Sequence, residues 1–388
     1  MQEVLDAALE CASDRVKAQF ALLVDEACHG PGHQPDEAPH PATTASGSMT
    51  SPEWNEEGRP LWRPVDADAS DALTPDDEER LILAARCPRQ YDPGVVEALS
   101  VVLSGQRRAE DMIGSTSLIE PVKAQLAVVS DLVTEARGDL RADVLDIGSQ
   151  WAQFAGWLHA NNRQLSEANR LYGLALEWAL EADKPNMIAT ALSMQGHASW
   201  LAGKARPMIG LSHAAQRDDR ASPGVRALAI QQEARGIALS GEAGIADVDR
   251  RFDQAEELVA RAAREPDNEP PWIYFFSPDY LILQRGLAYR LLGEYDKARE
   301  LLTAGLSAVP DDMRQSDWMA SHYLLQLAIN SAKSGDVGAA CTVAQEINIV
   351  ARRTQLESLQ ASLMRFYEWL CQNWPDDPRV AELGEALR

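Results

Sequence analysis

The sequence predicts an all-α fold in which helix pairs stack into a solenoid, and three observations carry that expectation. Hydrophobic residues make up 45% of the 388 while aromatics make up only 6%, which suits Ala- and Leu-rich helices better than a β-sandwich. Val and Ile rarely alternate with polar residues over more than a few positions, so strand patterning is nearly absent. The third is the run Gly286-Leu-Ala-Tyr289-Arg-Leu-Leu-Gly293-Glu-Tyr295-Asp-Lys-Ala298, closed by Pro310. Small Gly286 and Ala298 let two antiparallel helices approach closely, and Tyr289 and Tyr295 are expected to fill the wedge between them. Gly293 ends the first helix and Pro310 stops the second.

Residues 1–28 read as one amphipathic helix, with Leu5, Leu9, Ala12, Val16 and Phe20 recurring every three or four places. Residues 29–73, rich in Pro, Gly, Ser, Thr and acids, read as a disordered linker. Ser46-Gly47-Ser48-Met49 within it leaves a fusion junction or internal start open beside a native extension, in which case the first helix docks on the solenoid or on another copy. Thr74-Pro75-Asp76-Asp77 marks a new start, because Thr caps a helix, Pro suits its first position and acids favour its positive end. From there, 74–388 is expected to be helical repeat.

Small residues recur in five registers: Gly156 with Ala168, Gly196 with Gly203, Ala234 with Gly241, Gly286 with Ala298, and Ala328 with Gly335 and Ala340. Their first members lie 40, 38, 52 and 42 residues apart. The Ala234 unit fits only with an insertion. In the longest interval, Trp272-Ile-Tyr274-Phe275-Phe276 follows the rigid Glu269-Pro270-Pro271 and is expected to seal the core, with a ligand-pocket wall as the alternative. Leu356, Leu359, Leu363, Phe366 and Leu370 share one face of a helix that caps the array.

The Gly286 unit resembles a tetratricopeptide repeat, whose spacing is roughly 34 residues, so extended helices or longer loops are inserted here. That resemblance implies a right-handed superhelical solenoid that binds peptides or proteins. Trp151-Ala-Gln-Phe-Ala-Gly-Trp157-Leu, the preceding 142–149 helix, Gln106-Arg-Arg-Ala-Glu-Asp-Met-Ile-Gly114, Leu118-Ile-Glu-Pro-Val-Lys-Ala-Gln-Leu126 and Pro270-Pro-Trp-Ile-Tyr274-Phe are together similar to the C-terminal sensor region of actinobacterial XRE-type transcriptional regulators. Members of that family carry an N-terminal helix-turn-helix DNA-binding domain. Residues 1–73 hold one helix and a linker in its place, so the expectation is a sensor without its own DNA reader.

Charge points the same way. With 36 basic and 59 acidic side chains the formal net charge is −23, which repels nucleic acid and anionic membranes. The densest basic spots, Gln106-Arg-Arg108, Arg250-Arg251 and Arg352-Arg353, read as solvated helix faces. No apolar run reaches the length of a membrane span and no leader peptide is seen, so a cytoplasmic protein is expected.

Chemistry-bearing motifs are missing: no phosphate loop, zinc-binding HExxH helix or nucleophile elbow is present. Cys28, His29, His33 and His40 match no common metal spacing and read as linker. Five cysteines without regular spacing fit a reducing compartment. His159, His197, His213 and His322 fall one per helix and read as interhelical residues, and Glu256-Glu257 as a wet helix face. No enzyme, cofactor or metal site is expected. What remains is recognition by the first helices of the pairs, whose amides and aromatics would line a concave groove. The candidates are Gln150, Gln153 and Trp157; Ser193, His197 and Trp200; Gln231 and Arg235; Gln284; and Tyr323, Gln326 and Asn330. The expected function is a ligand- or peptide-sensing regulator of transcription or signalling that acts through a protein partner, a small-molecule signal or a second copy; the alternative is a scaffold that senses nothing.

Overall fold

The computed structural model describes residues 53, 54, 60, 61, 74–88, 92–242 and 244–388, and the chain divides into the units Met1–Ala72 and Leu73–Arg388. The helix expected over 1–28 and most of the linker, with its Cys28–His40 cluster, lie outside the described residues. In the first unit β1 (Glu53–Trp54) pairs antiparallel with β2 (Pro60–Leu61).

The second unit is all helix among the described residues: α1 (Pro75–Arg86), α2 (Gly94–Ile113), α3 (Ser115–Glu135), α4 (Arg141–Asn161), α5 (Leu165–Glu181), α6 (Pro185–Leu201), α7 (Ala205–Ala215), α8 (Pro223–Ser240), α9 (Ile245–Ala262), α10 (Pro278–Leu291), α11 (Tyr295–Ala308), α12 (317–333, with a π turn at Ala320–Leu324), α13 (Val337–Thr354), α14 (Glu357–Asn373) and α15 (Pro378–Leu387). Thr74 starts α1 as its composition suggests, in a capping box with Asp77. Ser222 and Ser277 cap α8 and α10, each followed by Pro at the first helical position.

One turn recurs between consecutive helices. After α4 the Arg163 amide donates to the Ala160 carbonyl (2.9 Å) and that of Gln164 to His159 (2.9 Å), which is the Schellman closure. The equivalent long-span bond is made by Lys184 to Ala179, Lys204 to Ser199, Glu294 to Tyr289 and Asp336 to Ser331. The residue before each of these donors has positive φ: Arg163 at 61°, Asp183 at 49°, Gly203 at 70°, Gly293 at 86° and Gly335 at 85°. A repeated turn of one geometry makes the helices alternate direction, so α4, α6, α8, α10 and α12 form one layer and α5, α7, α9, α11 and α13 the other. Neighbours in the first layer also touch, α2 with α4, α4 with α6, α6 with α8 and α8 with α10.

The five small-residue registers fall on five of these pairs. A Cβ on Gly156 would lie 2.5 Å from the Tyr172 ring, and one on Gly286 would lie 3.0 Å from Leu302, so close approach is what these positions require. The Ala234 unit forms as α8 and α9, with the left-handed Gly241 as its helix stop. Tyr289 and Tyr295 do not fill the wedge inside their own pair. Tyr289 Oη reaches back to Asp249 of α9 (2.9 Å), and Tyr295 forward to Lys333 of α12, whose ammonium lies 4.3 Å from its ring centre. Both rings therefore join adjacent pairs. Leu356, Leu359, Leu363, Phe366 and Leu370 are buried against α12 and α13, and α15 adds Val380 and Leu383 to the same core.

The array turns back on itself. Asp317, at the start of α12 and fully buried, accepts hydrogen bonds from the Ser115 amide (2.9 Å), Ser115 Oγ (3.0 Å) and Asn161 Nδ2 (2.8 Å). Trp318 Nε1 donates to Asp111 of α2 at 2.8 Å. These bonds tie α2, α3 and α4 to α12.

Candidate functional site

Because the first-layer helices present residues at three- and four-residue spacing, each contributes one stripe to an interior cavity. Gln153 and Trp157 come from α4; Ser193, His197 and Trp200 from α6; Gln231 and Arg235 from α8; Tyr280 and Gln284 from α10; His322 and Tyr323 from α12. Arg107, Glu110 and Asp111 close one side from α2, and Trp272, Tyr274 and Phe275 close another from the 270–277 loop. The cavity has a volume of about 120 Å³, room for several waters.

Eight rings surround this space in an unbroken circuit of contacts. Phe275, Trp318, Trp157, His197, Trp200, His322, Tyr323 and Tyr280 each lie 5.1–6.5 Å, centre to centre, from the next, and Tyr280 returns to Phe275. All of these pairs are tilted or edge-to-face, and edge-to-face is an arrangement aromatic quadrupoles favour. The π turn of α12, wound more loosely than an α turn, sets the adjacent His322 and Tyr323 both on the wall.

The loop is held by its ends. Glu269 accepts from Ser222 Oγ (2.6 Å) and from the Gly224 amide (2.9 Å), putting a carboxylate on the N-terminus of α8. Trp272 Nε1 donates to Thr190 Oγ1 (3.1 Å) and Tyr274 Oη to Asp111 (2.6 Å). Tyr274, 49% exposed, forms the lip. The segment thus does both things considered for it: Ile273 is buried in the core while Trp272, Tyr274 and Phe275 are cavity wall.

The polar groups are unusual for an interior. Arg107 and Arg235 are 8% and 3% exposed. Arg107 lies 6.0 Å from the Phe154 ring centre and 5.9 Å from that of Trp272, and Arg235 4.5 Å from Trp200. Burial depresses both guanidinium groups, Arg107 to about 10, which still leaves it charged at neutral pH. Burial, with the Asp317 and Asp111 carboxylates near it, pushes the Glu110 carboxyl well above its ordinary range, so it favours the protonated form. Burial likewise drives His322 down to about 3 and His197 well below its usual value, with neighbouring Arg235 and Arg163 adding to both; both rings are neutral at pH 7. Several of these side chains carry a buried atom without a hydrogen-bond partner among the described residues: Arg107 Nη2, Glu110 Oε1, Gln231 Oε1, Arg235 Nε, Gln284 Oε1 and His322 Nε2.

Of the twelve groove candidates, the structure brings Gln153, Trp157, Ser193, His197, Trp200, Gln231, Arg235, Gln284 and Tyr323 to this one cavity. Gln150 instead borders a separate, more open cleft between α2 and α4. Gln326 and Asn330 lie about 4.5 and 10 Å farther along α12 than Tyr323, past the hydrogen bond that Gln284 donates to Tyr323 Oη, and are not part of the lining. Sequence reasoning missed Arg107, Glu110, His322 and Trp318. Gln106-Arg-Arg108 was expected to be a solvated face, yet Arg107 is buried while Arg108 is exposed. The spacing Leu103, Arg107, Glu110 on an apolar stripe was the available signal.

Among the described residues no group of three or more His, Cys, Asp or Glu is placed to hold a metal, and no helix is long and apolar enough to cross a membrane. No family model matches the chain, and no curated protein matches it.

Proposed function

We propose that this chain is a ligand-sensing regulator: tetratricopeptide-like helix pairs wind into a right-handed superhelix whose inner face holds a small molecule, and occupancy is passed to transcription or signalling through protein partners. The observation that carries the reading is the convergence of five first-layer helices, α2 and one loop on a cavity where several buried polar atoms lack partners among the described residues. Buried polar groups are normally satisfied, and leaving them unpaired costs folding free energy, so a scaffold with no ligand gains nothing from this interior. The size of the space favours a small molecule over the extended peptide that an open groove would take. The similarity to the sensor region of XRE-type regulators agrees with this role, and the acidic surface agrees with action through a partner rather than on DNA.

The test is native mass spectrometry of the full chain isolated from its own cells, paired with capture of its partners before and after ligand is dialysed away. A non-covalent small molecule that is lost on denaturation, together with a change in the partners retained, supports the sensor. Ligand-free protein holding the same partners in both states returns the scaffold reading.

A further inference from the structure

We propose that the cavity takes a small organic anion with a planar, unsaturated body, its charged group paired with a buried guanidinium group, that of Arg107 on α2 or of Arg235 on α8; this rests on the reading of the cavity as a ligand site. Among the described residues neither arginine has a carboxylate within 4.0 Å, although half-buried cations such as Arg285 and Arg314 do. Their neighbours are rings and one amide: Phe154 and Trp272 for Arg107, Trp200 and Gln232 Oε1 (3.4 Å) for Arg235. A cation taken out of water without a counter-charge is costly. Two of them lining one cavity call for an anion, and the planar guanidinium fork matches carboxylate or phosphate oxygens.

The acids of the cavity do not answer that need. Asp111 is engaged by Tyr274 Oη at 2.6 Å and Trp318 Nε1 at 2.8 Å. Glu110 is buried beside Asp317 and Asp111, surroundings that favour its neutral form. An incoming anion therefore meets a guanidinium group that no carboxylate of the cavity already holds. The rest of the molecule is specified by the ring circuit, whose edges and faces accept a flat unsaturated body, and by Gln231 Oε1 and Gln284 Oε1, acceptors without partners among the described residues that suit a hydroxyl or N–H on that body.

Four indoles, of Trp157, Trp200, Trp272 and Trp318, line the space, so tryptophan fluorescence of the full chain reports occupancy. Naphthoate, naphthyl phosphate, uncharged naphthamide and cationic naphthylmethylammonium serve as probes of one body and different heads. We expect naphthoate or naphthyl phosphate to bind at least tenfold more tightly than the amide, the preference between the two identifying the head group. Arg107→Gln or Arg235→Gln should lower the anion's affinity roughly tenfold to a hundredfold, as for a lost charge-assisted hydrogen bond, and leave the amide's unchanged. Circular dichroism checks that each variant folds, and where one does not, the comparison of acid and amide on the unaltered chain decides. Equal binding of acid and amide, tighter binding of the cation, or anion affinity unmoved in both variants overturns the proposal while leaving the cavity a ligand site. No saturable binding by any probe up to millimolar concentration overturns the proposal as well, and if no small molecule co-purifies the ligand-site reading falls with it.

Discussion

Replacing His322 with Gln should remove a defined part of the acid sensitivity of this fold. His322 is 5% exposed, edge-on to His197 and Tyr323, and its buried ring titrates near 3 rather than at 6.5. Above pH 6.5 the imidazole is neutral in both folded and unfolded chains and has no effect on the balance. As pH falls below that value the unfolded chain gains a proton that the folded chain refuses, so stability drains away until the folded ring itself titrates near 3. The slope approaches about 1.4 kcal/mol per pH unit, and integrates to roughly 2 to 2.5 kcal/mol between pH 6.5 and about 4.5. His197, depressed chiefly by its own burial and only secondarily by His322, keeps its contribution in the variant. Glu110 and Asp317, both raised by burial, pull the pH dependence the other way in both proteins and cancel in the comparison. Urea unfolding of both proteins at the two pH values measures the difference. Equal pH dependence to within about 0.5 kcal/mol, well under the expected effect, would mean that the ring is solvated and the described cavity wall is wrong.

Asp317→Ala should destabilise the fold by about 3 to 5 kcal/mol, because three buried donors from Ser115 and Asn161 lose their acceptor; chemical denaturation checks it. Glu269→Ala should cost about 1 kcal/mol at the α8 terminus, and it should also weaken probe binding by freeing the loop that carries Trp272 and Tyr274; a stability loss without any change in indole quenching would separate the loop from the site. Tyr172→Phe removes a buried hydroxyl that has no partner among the described residues, so thermal melting should show a protein as stable as the parent or more so.

Much of the fold was legible because close packing leaves few residue choices. Gly156 and Gly286 mark helix crossings where no side chain fits, and the left-handed glycines at 203, 293 and 335 mark helix ends. Arg163 and Asp183 adopt the same left-handed turn without being glycine, so those boundaries carried no comparable signature. The stripes on α4, α6 and α8 could be read from three- and four-residue spacing within single helices. How far the cavity extends could not, because it depends on how α12 meets α2: Gln326 continues the periodic face of Tyr323 yet lies past the cavity's end, while Arg107, read as wet, is covered by rings more than forty residues away, among them Trp272.

The bonds from Asp317 to Ser115 and from Trp318 to Asp111 span 202 and 207 positions of the chain. During synthesis, the early helices are therefore made long before the segment that completes their enclosure, and domains of this kind gain such distant contacts late. A ribosome that stops short of α12 releases a polypeptide in which Ser115, Asn161 and Asp111 lack the partners that close the array, so premature termination leaves the early helices unsealed.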